Sequence, residues 1–253
     1  MPDSDHALAA RLAEEAGRLL VDLRARLAAE GVTGRALGDE GDRRSHELLM
    51  ARLAAARPGD AVLSEEGAAD PARLAASRVW IVDPLDGTRE YRDVPRTDWA
   101  VHVALAVDGT VAAGAVALPG QGRVLSTLHP PKPPPPPAAG LAPRVVVSRS
   151  RPPKAAARLA ADQGWELVTL GSAGAKAMAV VDGHADVYPH TGGQYEWDSA
   201  APVAVAASAG LHVSRIDGSP LVYNRPDPYL PDLLICRPEL AAVVIAAFAD
   251  APG

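Results

Sequence analysis

Three short acidic clusters follow apolar runs in this sequence, and their residue types suit metal chemistry. They are Ser64-Glu65-Glu66, Asp83-Pro84-Leu85-Asp86 and Trp197-Asp198-Ser199. A hard divalent cation needs several oxygen ligands, and carboxylates that leave strand ends can converge on one point. Pro84 stiffens the turn between Asp83 and Asp86, so both carboxylates can face one cavity. The carbonyl between them, that of Leu85, is a further oxygen ligand, and the spacing predicts a metal site.

Gly87 and Thr88, which follow the second cluster, are typical of the start of a helix. The first N–H groups of a helix have no intrahelical acceptor and form a site for an anion. Metal ligands next to such a helix predict a phosphate site. Each piece has an ordinary structural interpretation when it stands alone, because Asp-Pro-x-Asp-Gly is also a good turn and Ser-Glu-Glu is usually a solvated loop.

Composition excludes several other kinds of protein. The 253 residues are 48% hydrophobic and 22% charged, which is typical of a globular chain, and the net charge of −6 argues against a nucleic-acid polymer as partner. No apolar run reaches the roughly 18 residues of a membrane span. The polar segment 1–6 argues against a secretory signal, so we expect a cytoplasmic protein. The single cysteine, Cys236, excludes an intrachain disulfide, and His102 is interpreted as a packed or surface residue.

Hydrophobic spacing predicts the elements that position these clusters. In the first half it predicts helices over 5–30 and 43–56, strands over 61–63 and 79–82, and a hairpin of 99–107 with 111–118 across Asp108-Gly109. In the second half it predicts strands over 144–147, 166–170 and 185–188, alternating with helices over 153–163, 173–182 and 199–209. This alternation indicates an α/β layer.

A proline-rich tract, Pro130–Pro137, separates the two halves. It cannot join a ladder of backbone hydrogen bonds, so we expect an exposed loop or linker. A docking segment for an aromatic groove is the alternative interpretation. We place a domain boundary just after the tract, which gives an N-terminal α+β domain over 1–142 and a C-terminal α/β domain over 143–253.

Two longer motifs carry a family resemblance. The segment 80–88, Trp-Ile-Val-Asp-Pro-Leu-Asp-Gly-Thr, resembles the first signature of the inositol-monophosphatase-like, lithium-sensitive phosphatases, and 196–202, Glu-Trp-Asp-Ser-Ala-Ala-Pro, resembles the second. Glu65 lies where that family keeps its metal-binding glutamate. The order and spacing of the motifs agree across nearly the whole chain.

The resemblance implies a layered α/β/α/β/α sandwich, a homodimer, and two or three Mg²⁺ ions that act on a small phosphate ester. It assigns as metal ligands Glu65, Asp83, the Leu85 carbonyl, Asp86 and Asp198. It assigns Thr88 and Glu65 to the attacking water, with Asp42 supporting it, and gives substrate contacts to Asp86, Gly87, Thr88 and Asp198. The sequence before Asp42 departs from the threonine-rich family pattern, so Asp39 and Glu40 stay open as alternatives.

The residues after the first signature indicate the substrate. Arg89-Glu90-Tyr91 is closest to the Lys-Glu-Phe of bisphosphate nucleotidases of the CysQ type, particularly actinobacterial ones. That resemblance implies removal of the 3′-phosphate of adenosine 3′,5′-bisphosphate, a by-product of sulfate assimilation. Inositol monophosphate and fructose 1,6-bisphosphate are the alternative substrates. A non-enzymatic scaffold is disfavoured because every expected acidic ligand is present.

A second glycine-rich segment, Gly171–Lys176, is typical of another helix start. Ser172, Gly174 and Lys176 are therefore candidates for binding a 5′-phosphate, and Arg149, after a predicted strand, is a second candidate. The alternative interpretation of this segment is a small-residue helix that packs closely on a strand. The segment Gly192–Tyr195, just before the metal-site aspartate, is a candidate border for the sugar or base.

Overall fold

Two helices begin the chain and cover one face of the first sheet. They are α1 (Asp5–Ala29) and α2 (Gly34–Ala56) in the computed structural model, which describes residues 3–68, 70–134 and 140–249. Along α1, buried Leu8, Leu12 and Leu20 recur at helical spacing, and the Ser4 hydroxyl caps the helix by accepting from the Ala7 N–H. The amphipathic spacing thus sets the inner face of this layer.

The first sheet has five strands in chain order. They are β1 (Ala61–Ser64), β2 (Arg78–Asp86), β3 (Ala100–Val107), β4 (Thr110–Leu118) and β5 (Arg123–Ser126), and the short helix α3 (Thr88–Arg92) follows β2. β1 and β2 are parallel, whereas the other neighbours are antiparallel. The predicted hairpin is confirmed: Asp108 and Gly109 join β3 to β4 with φ angles of 49° and 78°.

The second sheet is mixed and has the order β7-β6-β8-β10-β9. Its strands are β6 (Arg144–Ser148), β7 (Glu166–Leu170), β8 (Val187–Tyr195), β9 (His212–Ser214) and β10 (Tyr229–Cys236). The helices of this half are α4 (Lys154–Gln163), α5 (Ala173–Val181), α6 (Glu196–Ser208) and α7 (Ala241–Ala249). β6 is parallel to β7 and β8, and β10 is antiparallel to β8 and β9.

Helices α5 and α6 lie between the two sheets. One apolar core joins the first sheet to α1 and α2, a second joins both sheets to α5 and α6, and a third joins the second sheet to α4 and α7. The layers therefore run α/β/α/β/α, which confirms the predicted fold class. Within the described ranges, no helix has both the length and the hydropathy of a membrane span.

The structure extends several predicted elements. Helix α2 begins at Gly34 rather than at residue 43, and α6 begins at Glu196 rather than at residue 199. The glycines in the first half of α2 have a low helix propensity, so the sequence pattern does not predict a helix there. They nevertheless allow close packing on α3. A Cβ at Gly38 would lie 2.8 Å from Thr88 Cγ2, and one at Gly41 would lie 2.8 Å from Tyr91 Cε1. The additional elements β5, β9, β10 and α7 were not predicted.

The proline-rich tract has no regular structure where it is described. Lys132 and Pro133 are exposed, and the Pro134 carbonyl accepts a hydrogen bond from the Arg237 guanidinium at 3.3 Å. Pro135–Pro137 lie outside the described residues. The domain boundary at 142/143 stays a prediction.

Candidate active site

A β-bulge in β2 directs two carboxylates to one side of the first sheet. Asp83 pairs with His102 of β3 and Asp86 with Ala100, so three steps along β2 match two along β3. Side chains three residues apart would face opposite sides of a regular strand, and the extra residue corrects this. The Leu85 N–H donates to Asp83 Oδ1 at 3.0 Å, and the Ser45 hydroxyl of α2 donates to the Pro84 carbonyl at 2.7 Å.

A third carboxylate reaches the bulge from the central helix layer. Asp83, Asp86 and Asp198 each offer an oxygen, and these oxygens lie within 4.8 Å of one another. Asp198 stands in the first turn of α6, where its Oδ2 accepts from the Tyr195 N–H at 2.7 Å. Carboxylates so close together, with a carbonyl between two of them, are a donor set that fits a hard divalent cation. The structure thus brings together three of the predicted ligands.

The fourth predicted carboxylate arrives from β1. Parallel pairing puts Ser64 beside Val82, and the Glu65 N–H donates to the Val82 carbonyl at 3.3 Å. Glu65 therefore follows its strand at the same edge as Asp83. Desolvation of its carboxyl group at this edge and the neighbouring charge of Asp198 raise the pKa of Glu65 to about 7.

Burial and mutual repulsion raise the pKa values of two further acids in this group. Burial, together with the charges of Glu65 and Asp86, raises the pKa of Asp83 well above its usual range. Burial and the charge of Asp86 raise the pKa of Asp198 to about 6. Carboxylates crowded in this way ionise together only when a cation compensates them. The electrostatics therefore agree with the donor set.

Asp42 and Thr88 form a hydrogen-bonded pair next to the metal cluster. The Thr88 hydroxyl lies 3.3 Å from Asp42 Oδ1 and 3.2 Å from the Leu85 carbonyl. Burial and the charge of Glu66 raise the pKa of Asp42 to about 7. The alternatives point elsewhere, since Asp39 pairs with Arg35 and Glu40 with Arg43 and Arg44. Asp42 is thus the acidic residue of this segment that contacts Thr88.

At the start of α5, where the sequence predicts a 5′-phosphate site, the structure places an acid of the protein itself. The N–H groups of Ala173 and Gly174 donate to the two oxygens of Asp86 at 3.1 and 2.6 Å. The Ser172 hydroxyl accepts from the Ala175 N–H at 3.0 Å and so caps its own helix. The anion at this helix start is therefore the Asp86 carboxylate.

Lys176 supports the loop rather than offering its charge to a substrate. It is buried, and its Nζ donates to the carbonyls of Gly171 and Ser172 at 2.5 and 2.7 Å. Burial lowers the pKa of Lys176, while the charge of Asp86 opposes that effect. Ser172 also packs closely on Gly87, where a Cβ would lie 2.8 Å from Ser172 Cβ.

Arg149 is still a candidate for binding the substrate. Its guanidinium pairs with Glu90 of α3 at 2.7 Å, and its side chain is still 37% exposed. Glu90 is buried, two residues after Thr88. This ion pair puts an arginine beside the helix that follows the metal ligands.

Sequence reasoning missed His102 as a partner of the metal cluster. The ring is fully buried; its Nε2 lies 3.2 Å from Asp86 Oδ2, and its Nδ1 lies 3.0 Å from the Trp197 carbonyl. Since a carbonyl only accepts, Nδ1 carries a proton. Burial alone would raise the pKa of Asp86, but the charge of His102 and the contacts with α5 lower it. The signal available in the sequence was a histidine within the apolar hairpin strand 99–107, which the structure pairs with Asp83 of β2.

Comparisons with known proteins agree with this geometry. The model of the inositol monophosphatase family matches residues 3–133 and 134–252. The chain belongs to the inositol monophosphatase family. A 3′-phosphoadenosine 5′-phosphate phosphatase of Mycobacterium leprae (strain TN) is 50% identical over 259 residues, which cover 98% of this chain and 94% of that relative.

Solved structures of this family have the same architecture. CysQ from Bacteroides thetaiotaomicron is 27% identical, with a TM-score of 0.75 over 91% of this chain and 96% of its own. Inositol monophosphatase II from Staphylococcus aureus MSSA476 is 20% identical, with a TM-score of 0.78 over 94% of this chain and 91% of its own. At 20% identity, the similarity to the Staphylococcus aureus structure supports the fold alone.

Proposed function

We propose that this family member hydrolyses the 3′-phosphate of adenosine 3′,5′-bisphosphate and releases AMP and inorganic phosphate. The observation that carries the proposal is the set of converging carboxylates of Asp83, Asp86 and Asp198. The choice of substrate rests on the 50% identity to a 3′-phosphoadenosine 5′-phosphate phosphatase along nearly the full length of both chains.

The residues that would hold Mg²⁺ are Glu65, Asp83, the Leu85 carbonyl, Asp86 and Asp198. When bound, two or three such ions supply a more acidic water and stabilise the charge of the leaving oxygen. Gly87 starts α3 with a φ of 84°, so the first N–H groups of that helix follow directly on Asp86 and suit a phosphate oxygen.

Thr88 and Asp42 orient the attacking water. The Thr88 hydroxyl has one proton and two acceptors, Asp42 Oδ1 and the Leu85 carbonyl. Its lone pairs are therefore available to accept from a water. With a pKa of about 7, Asp42 can take up a proton at neutral pH as the water attacks phosphorus. The P–O3′ bond breaks, the 3′-oxygen takes a proton from solvent water, and Asp42 returns its own proton to solvent.

Arg149 is proposed as the contact for the 5′-phosphate. A homodimer and a cytoplasmic location stay predictions. The deciding experiment measures phosphate release side by side on adenosine 3′,5′-bisphosphate, inositol 1-phosphate and fructose 1,6-bisphosphate with Mg²⁺. We expect the highest kcat/KM on the first substrate, and a higher value on either of the others would overturn the proposal.

A further inference from the structure

Three aromatic side chains gather directly beside Asp198. The rings of Tyr195 and Trp197 are stacked, with centroids 4.8 Å apart and planes inclined by 8°, and Tyr229 meets Tyr195 nearly perpendicularly at 5.9 Å. The pairing of β8 with β10 brings Tyr229 opposite Tyr195. We call Tyr195, Trp197 and Tyr229 the aromatic cluster. Because the Tyr195 N–H binds Asp198, this cluster adjoins the metal centre.

The aromatic cluster is open to solvent. Tyr195 is 44% exposed and Tyr229 40%, whereas the other tyrosines of the chain are all buried. Gly192 and Gly193, with φ angles of 87° and 95°, precede the cluster on β8. A Cβ at Gly192 would meet nothing within 4 Å, and one at Gly193 would meet only the Tyr229 ring, at 3.9 Å. The backbone therefore leaves free space beside exposed aromatic surface.

We propose that the aromatic cluster binds the nucleobase of the substrate by stacking. This inference rests on the proposed function, because only a nucleotide substrate carries a base. Aromatic rings of tyrosine and tryptophan stack on any base, whereas a polyol such as inositol has no flat π-face. The cluster contains no cationic side chain, so it suits a neutral base better than a second phosphate. Through the Tyr195 N–H the cluster is joined to Asp198, so a base stacked on it would belong to a substrate whose phosphate is held at the metal cluster.

The test compares Tyr195→Ala and Tyr229→Ala with the wild-type protein on adenosine 3′,5′-bisphosphate and on inositol 1-phosphate. We expect kcat/KM for the nucleotide to fall about tenfold or more in each variant, and to fall about tenfold more than kcat/KM for the base-free ester. Tyr195→Phe keeps the ring and stays near wild type. Leu141→Ala, at a site that is 67% exposed, controls for loss of an exposed apolar side chain.

Product inhibition gives a second comparison that does not need turnover of inositol 1-phosphate. AMP must inhibit Tyr195→Ala more weakly than the wild type, while inorganic phosphate inhibits both equally. If the wild type releases phosphate from the nucleotide but both alanine variants match it, base binding is wrong and the proposed function stands. An equal loss on both substrates, or equally weakened inhibition by AMP and phosphate, also overturns base binding. A wild type inactive on the nucleotide refutes the proposed function itself.

Discussion

Replacing Asp198 by Asn should stabilise the metal-free protein while it weakens metal binding and activity. In the absence of a cation, the Asp198 carboxylate is partly buried beside Asp86, and its pKa is raised. Because folding raises the pKa of this carboxyl, its charged form is less stable in the folded protein than in the unfolded chain. The free energy of unfolding therefore decreases as the pH rises through about 6. An asparagine at this position removes the charge and can still accept the Tyr195 N–H.

The size of this effect follows from the shift. The pKa of Asp198 rises from 3.8 to about 6. Each unit corresponds to about 1.4 kcal/mol, so the upper limit is about 3 kcal/mol. Solvent screens a partly exposed carboxylate, and we therefore expect a gain of about 1–2 kcal/mol. For a chain of this length, that gain raises the Tm by about 2–8 °C.

Thermal unfolding in EDTA at pH 8 and pH 5 measures the effect. The gain should be largest at pH 8, where the wild-type carboxylate is charged, and should shrink at pH 5. Added Mg²⁺ should raise the Tm of the wild type more than that of Asp198→Asn, because ligand binding stabilises the folded state. Asp162→Asn removes an exposed acid of α4 and is the matched control. A metal-free Asp198→Asn protein that is less stable than the wild type at pH 8, with an unchanged control, would refute the repulsion argument.

Other substitutions probe the remaining assignments. Asp83→Asn and Asp86→Asn should each lower kcat at least about a hundredfold, and a chelator should abolish wild-type activity, as phosphate-release assays will show. Arg149→Ala should lower kcat/KM for adenosine 3′,5′-bisphosphate about ten- to a hundredfold but spare inositol 1-phosphate; an equal loss on both would exclude a 5′-phosphate contact. Lys176→Met should lower the Tm and impair both substrates alike, and a selective loss on the nucleotide would restore Lys176 as a phosphate ligand. Deleting Pro133–Pro137 should leave turnover nearly unchanged, and a large loss would show that the tract packs against the catalytic body.

The parts of the site that sequence reasoning placed correctly depend on local geometry. Asp83 and Asp86 share one side because Pro84 and the bulge act within four consecutive residues. Asp108-Gly109 determines its hairpin in the same way. Such features can be predicted from the sequence because the residues that cause them are adjacent in the chain.

The parts that were missed depend on packing between distant segments. The first half of α2 was missed because its glycines disfavour a helix, which packing on α3 at Gly38 and Gly41 stabilises. Asp42 was assigned from the family resemblance, but its place on that helix was not predicted. Its contact with Thr88 spans 46 positions of the chain. His102 likewise depends on a distant contact, because its Nδ1 donates to the carbonyl of Trp197, 95 positions away in the chain. No periodicity of one segment encodes such contacts.

The start of α5 shows that a helix N-terminus and a nearby lysine can bind a carboxylate of the protein itself. Those N–H groups, with His102 and Lys176, surround the Asp86 carboxylate and hold its pKa below the usual range although it is buried. Asp83, three residues earlier, has its pKa raised because acids surround it instead. The pKa values of these two carboxylates of one bulge are therefore shifted in opposite directions. The N–H groups at the start of α5 thus contact a carboxylate of the metal cluster, and Arg149, an exposed cation paired with Glu90 of α3, is our proposed contact for the 5′-phosphate.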